Sequence, residues 1–201
     1  QGMDEAWAGY DYYINGTDSV VQGTTSSPTR PGVLSAEFRD KAEKPVYPQP
    51  FDNRLQNLQF RDIFYTKIPR ALRFNDRVSM MYSTELREPF LDHRLVEFGF
   101  AQPERNKIFK KEQKWLMRKL AQKFIGHELS FAPKRPVQTP QREWLCNELK
   151  DWANERITLF SNHSWVDKKS IEKEWNAYLS QSSDNSFYIW QWINASYLLN
   201  Q

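Results

Sequence analysis

The sequence predicts a mainly α fold, and three observations predict it. Apolar residues recur at the helical period in one segment after another, and no stretch alternates apolar and polar residues as a half-buried strand would. Prolines and capping acids, among them Pro69, Asp92 and Pro103, stand where helices should begin or end. Only 7 glycines occur in 201 residues, and neither GxGxxG nor GxxxxGK[ST] is present, so the phosphate loop of an ordinary nucleotide-binding α/β domain is missing from this stretch.

Taken in order, residues 4–13 (DEAWAGYDYY) predict a first helix with Asp4 and Glu5 at its positive end. Residues 16–50 turn to Thr, Ser, Pro and Gly and predict a long surface loop, with one short helix near 36–41. The helical period returns at Asn53 with Leu55, Leu58, Ile63 and Phe64 on one side, predicting a helix to about Thr66. Pro69 fits the first turn of the next helix, 69–82, in which Leu72, Val78, Met81 and Tyr82 lie among Arg70, Arg73, Asp76 and Arg77. An extended break at Pro89, Phe90 and Leu91 precedes a helix capped by Asp92 and ended by Pro103. Residues 112–124 predict a further helix through Trp115, Leu116, Leu120 and Phe124. The three prolines of 131–140 exclude a continuous helix there. A helix from Pro140 or Gln141 through Trp144, Leu145, Leu149 and Trp152 follows, then 170–179 and 187–199, the last with Trp190, Ile193, Tyr197 and Leu198 at helical spacing.

Hydrophobic residues at 39% and aromatic residues at 15% supply enough apolar surface for a core and exclude wholesale disorder. A net charge of +3 is too small for the strongly basic surface expected of a nucleic-acid binder. The single cysteine, Cys146, excludes an internal disulfide framework and predicts a reducing, cytoplasmic setting. No signal peptide and no apolar run of about 20 residues is present, which predicts no membrane partner. The chain opens on Gln1 without Met and reads as a start in mid-sequence.

Three groups of residues are candidates for chemistry. Gln1-Gly2-Met3-Asp4-Glu5 places a carboxylate pair after a glycine turn at a helix start, which suits a divalent metal with phosphate or, equally, an ordinary acidic helix N-terminus. Asp76, Arg77, Glu85 and Arg87, with the run 88–97, alternate acids and arginines around a proline turn; such a network either fixes a helix corner or faces a substrate. Lys134, beside Arg135 in the proline-rich stretch, either projects a charge into a cleft or belongs to a solvated basic turn. His93, His127 and His163 lack metal-ligand spacing, and Cys146 lies among apolar residues with no activating neighbour.

In chain order these pieces resemble the later part of the synthetase domain of the asparagine synthase family. Residues 1–10 (QGMDEAWAGY) are similar to that family's SGxGGDELFAGY motif, and residues 72–97 (LRFNDRVSMMYSTELREPFLDHRLVE) to DRxSMxxSxExRxPFLDHRLVE. Residues 114–119 (KWLMRK) are similar to KxLLRKA, and 132–145 (APKRPVQTPQREWL) to RxKxxxxxPxxxWL except at the first position. The resemblance implies the helical C-terminal portion of an α/β synthetase domain of the adenine-nucleotide α-hydrolase type, with 1–201 a partial domain and the central parallel sheet largely missing. It implies an ATP- and Mg2+-dependent ligase that adenylates the side-chain carboxylate of aspartate. Ammonia from a separate glutaminase domain then displaces AMP and gives asparagine.

By the same resemblance Asp4 is the metal carboxylate, Lys134 contacts the departing phosphates, and Glu5 adjoins the metal position. Asp76, Arg77, Glu85 and Arg87 form a structural or substrate-side corner. Gln1 stands where some members have an acid, and a neutral amide cannot act as a general base. Met3 replaces a small residue, and the SGGxDS loop and glutaminase domain are not in this stretch, so the chain by itself is expected to be inactive. A homodimer of the full-length parent is compatible with this reading, and apolar faces that would cover the missing sheet are expected to be exposed. Two other readings stay open: a paralogue amidating another carboxylate in polysaccharide or peptide biosynthesis, and a non-catalytic helical module that binds a partner.

Overall fold

The computed structural model describes residues 1–15, 27–133, 139–180 and 185–199, and over these the protein is mainly α. In chain order the helices are α1 (Met3–Ala6), α2 (Tyr12–Asn15), α3 (Ala36–Asp40), α4 (Arg54–Arg61), α5 (Ile68–Met80), α6 (His93–Ala101) and α7 (Glu104–Lys107). A hairpin of β1 (Ile108–Phe109) and β2 (Glu112–Gln113) comes next, then α8 (Trp115–Ser130), α9 (Gln141–Cys146), α10 (Lys150–Ser161), α11 (Lys168–Leu179) and α12 (Phe187–Leu199). The described residues fall into two compact units, one holding 1–15 and 45–133, the other 27–44 and 139–199 less the undescribed residues.

In the first unit the single helix expected over 4–13 is two short ones. Ala8 takes a left-handed backbone with φ 57°, and Gly9 donates its N–H to the Asp4 carbonyl at 2.7 Å, so the chain turns back on itself before α2. A Cβ on Gly9 would lie 2.9 Å from the Asp4 Cα, so the close return of the chain favours glycine there. Asn53 caps α4 by accepting from the Gln56 N–H at 3.1 Å. A π-helical turn, Asp62–Thr66, then adds a residue to the turn and rotates the downstream residues by roughly 100°. Phe64, expected beside Leu55 and Leu58, is turned outward and 59% exposed, since nine residues at roughly 100° each put it opposite Leu55 even without the π-turn.

Pro69 sits in the first turn of α5, as expected, yet Leu72, Val78, Met81 and Tyr82 are exposed and only Ile68 of that helix is buried. The segment expected to be extended at Pro89–Leu91 is a 3-10 turn, which Asp92 follows as the cap of α6, accepting from the Arg94 N–H at 2.9 Å. Glu112 and Gln113 belong to a hairpin and not to the next helix; Lys110 and Lys111 make its turn with φ 52° and 70°. The fold centres on Ala8, Tyr10, Tyr12, Tyr13, Leu55 and Leu58, with the Tyr10 and Tyr12 rings stacked at 5.2 Å.

In the second unit Ser35 caps α3, and Leu34 bridges to Val166. The helix expected from 140 through Trp152 breaks at Asn147, where the Leu149 N–H returns to the Trp144 carbonyl at 2.7 Å; α10 then runs on to Ser161. Val33, Leu145, Ile157, Phe160, Ile171, Trp175, Tyr178, Tyr188, Ile189, Trp192 and Ile193 build a continuous apolar core. α12 has the expected bounds but not the expected face. It buries Tyr188, Ile189, Trp192, Ile193 and Ser196, while Trp190, Tyr197 and Leu198 are exposed; a helix apolar on all sides gives its period no face to mark. No helix among the described residues is long and apolar enough to cross a membrane.

Candidate functional site

Of the site candidates in the first unit, Asp4 and Glu5 lie on α1. Gly2 enters the helix with φ 95°, and a Cβ on it would meet Leu91 Cδ2 at 2.5 Å and the Phe90 carbonyl at 2.8 Å. The proline turn 89–91 thus lies directly against the start of α1, and only glycine fits between them. Trp7 closes the other end, its ring 3.0 Å from where a Cβ on Gly99 of α6 would stand.

Adjacent carboxylates leave this turn for different environments. Asp4 keeps 29% of its side chain exposed and places Oδ1 2.8 Å from Nζ of Lys114, the residue that precedes α8. Glu5 is 2% exposed and accepts a hydrogen bond from the Tyr10 hydroxyl. Burial raises the Glu5 pKa above its ordinary value, and the Tyr10 hydrogen bond opposes that rise only in part. One acid is therefore partly open and paired with a lysine, and the other is held in a low-dielectric pocket.

A second buried carboxylate, Asp62, accepts from the hydroxyls of Tyr12 and Tyr13, the latter at 2.8 Å, from Arg61 Nε at 3.0 Å and from the Thr66 hydroxyl at 2.7 Å. Lys67 lies with Nζ 4.6 Å from the centre of the Tyr10 ring and 5.5 Å from that of Tyr12, a cation–π arrangement. Burial lowers its pKa, and Asp62 and Glu5 pull it back up. Beneath α1, Gln59 Nε2 donates to the carbonyls of Glu5 and Ala6, both at 2.7 Å, and Gln59 Oε1 accepts from Lys107 Nζ at 2.9 Å.

The arginine–acid network divides. Asp76 and Glu85 line an open cleft of about 450 Å³ with Leu72, Arg73, Asn75, Met80, Leu86 and Glu88. Arg87 pairs with Glu85 at 2.9 Å in full contact with solvent, while Arg77 is exposed on α5. Glu88 accepts from Asn75 at 2.9 Å, and the turn that follows it packs against Gly2. The Gln1 side of the turn is exposed. Lys134 lies outside the described residues.

Gln59, Asp62, Lys67, Lys107 and Lys114 were not singled out by sequence reasoning. Lys114 falls inside the KWLMRK segment, which is the one signal that could have found it. No cluster of three or more His, Cys, Asp or Glu side chains suited to a metal occurs among the described residues. Cys146 is half-buried with its thiol pKa pushed up by burial, the direction of an unreactive thiol.

The chain is 26% identical over 136 residues to asparagine synthetase [glutamine-hydrolyzing] 1 of Bacillus subtilis (strain 168), a match covering 68% of this chain and 22% of that protein. It is 28% identical over 116 residues to a putative asparagine synthetase [glutamine-hydrolyzing] of Mycobacterium tuberculosis (strain ATCC 25618 / H37Rv), covering 57% of this chain and 18% of the relative. The chain thus spans about a fifth of the length of the curated relatives it matches. No solved structure matches it. The asparagine synthase family model matches residues 1–200, nearly the whole length, and the chain belongs to the asparagine synthase family.

Proposed function

We propose that this chain is part of an ATP-dependent amide ligase that adenylates the side-chain carboxylate of aspartate and amidates it with ammonia from glutamine hydrolysis in a separate domain. Family membership supports the ligase chemistry, and the relatives' names support aspartate amidation and glutamine as the nitrogen source. The observation that carries the reading is the divergence of the α1 acids: Asp4 beside Lys114 in a partly open position, Glu5 sealed under Tyr10.

The donor set fits magnesium that arrives on a nucleotide. Such an ion needs only one or two protein carboxylates and takes its other ligands from phosphate and water, whereas an all-protein cage would need a cluster not found among the described residues. Asp4 would hold the ion, and the ion, when bound, neutralises charge on phosphate oxygens. Lys114, with Nζ 2.8 Å from Asp4 Oδ1, holds that carboxylate in place before nucleotide arrives. Glu5 fills the floor of the turn and orients it through Tyr10. Gln1 contributes an amide that can bind but cannot act as a base. Asp76 and Glu85 at the cleft, with Arg87 paired to Glu85 and Arg77 next to Asp76 on α5, form a substrate-side or supporting corner. Lys134 supplies a cation to the departing pyrophosphate, a role that rests on its motif position. A cytoplasmic setting agrees with the single free cysteine.

Aspartate-dependent ATP–pyrophosphate exchange in the intact protein tests the reading. Lys134→Ala should abolish exchange and leave glutamine hydrolysis largely in place, because the lysine acts only at the phosphates. Unchanged exchange removes Lys134 from the mechanism.

A further inference from the structure

We infer that Gln59 and Lys107 are positioning residues of the Asp4–Glu5 turn, acting as a two-link bridge that fixes α1 from below. The inference rests on the proposed use of Asp4 as the carboxylate for nucleotide-borne magnesium.

α1 has four residues, too few to satisfy its own ends, and its last carbonyls need outside donors. Gln59, fully buried on α4, gives both amide hydrogens to two successive carbonyls of that turn, Glu5 and Ala6. The next residue but one is left-handed Ala8, a conformation that costs about 1–2 kcal/mol and persists only where neighbours over-determine it. Gln59 is such a neighbour, since its two bonds tie the turn to α4 immediately before the strained step.

Lys107 decides which way the Gln59 amide points. The amide is nearly symmetric in shape, and a flip would put its oxygen against the two carbonyls. An ammonium can only donate, so with Lys107 Nζ at 2.9 Å the oxygen must face the lysine and the nitrogen must face α1. The same Nζ donates to the Phe100 carbonyl at 3.1 Å, and Lys107 as a residue is 1% exposed. From α4 it faces Gln59, from α6 the Phe100 carbonyl and ring, and on its own helix the charge acting on it is Glu104.

Among the described residues no carboxylate forms an ion pair with this ammonium, and desolvating it carries a cost that a methionine of similar length would avoid. Orienting the amide is the return on that cost. The turn held in this way carries the Asp4 carboxylate, whose Oδ1 lies 2.8 Å from Lys114 Nζ. Partners that orient a metal ligand without touching the metal commonly set the metal's affinity.

The test is calorimetric ATP binding by the intact protein across a magnesium series, with thermal melting alongside, for Lys107→Met, Gln59→Met and the double variant. Lys107→Met leaves the buried Gln59 Oε1 without its donor and should melt below the wild-type temperature, while in the folded protein the magnesium concentration needed for half-maximal ATP binding rises roughly tenfold. The double variant should shift no further than Gln59→Met alone, because both residues act through one bridge. If Gln59→Met does not fold, the Lys107→Met arm decides. Wild-type protein that binds ATP with a magnesium dependence identical to that of Lys107→Met overturns the inference and leaves the ligase reading standing. Wild-type protein that binds no ATP at any magnesium concentration overturns both.

Discussion

The two units are built around opposite kinds of core. In the second, Tyr188, Ile189, Trp192 and Ile193 of α12 pack with Ala153, Ile157 and Phe160 of α10, and the interior is held by apolar contact. In the first, a small tyrosine and leucine cluster is laced with Glu5, Gln59, Arg61, Asp62, Lys67 and Lys107, all buried. An apolar core loses stability in proportion to the atoms removed, whereas a polar core fails when one partner is lost and another is left charged or unpaired. Such a core is a costly way to be stable and an effective way to hold side chains in fixed directions. The motif acids are found in the unit that has it.

Two conservative substitutions should break the comparison most visibly. Asp62→Asn changes almost no volume, yet it leaves Arg61 without its anion and disturbs the hydroxyls of Tyr12, Tyr13 and Thr66. A loss of about 3–5 kcal/mol is expected. Ile189→Val removes one methylene from the apolar core and should cost only about 0.5–1.5 kcal/mol. Denaturant unfolding of both variants measures the gap, and equal losses would mean that the two cores do not differ in kind.

A pH series sharpens the same contrast at a single residue. The folded protein holds Glu5 above its unfolded pKa of 4.5, so it binds more protons than the unfolded chain between that value and the raised one. The contribution of Glu5 to stability is present below pH 4.5 and is lost as pH rises through the folded pKa. Glu5→Gln should remove that downward slope and keep the Tyr10 bond. A variant that retains the slope would assign it to another group. The smallest effect belongs to the open corner, where Glu85→Ala breaks a solvent-exposed pair with Arg87 and should change stability by no more than about 1 kcal/mol in unfolding measurements.

Local signals made much of the fold legible. Asn53, Pro69 and Asp92 mark helix starts that the structure keeps, because caps and proline act through neighbouring backbone groups. Features that depend on long-range contact were hidden. Strands of two residues are too short to alternate, so the hairpin at 108–113 carries no periodic trace. The split between α1 and α2 turns on Ala8, an alanine in a conformation its sequence neighbours do not announce. The candidate site divides in the same way. Asp4 and Glu5 stand out from their motif, but Lys114 reaches Asp4 across 110 residues and Lys107 reaches Gln59 across 48. Pairings of that span leave no local pattern.

The central claim is that the partly open α1 acid serves nucleotide-borne magnesium, and a magnesium titration of aspartate-dependent ATP–pyrophosphate exchange, comparing the intact protein with Asp4→Asn, tests it most directly. Removal of a direct ligand should raise the magnesium midpoint by more than the roughly tenfold expected of an outer partner. Superimposable titrations for Asp4→Asn and the unaltered protein would contradict the account.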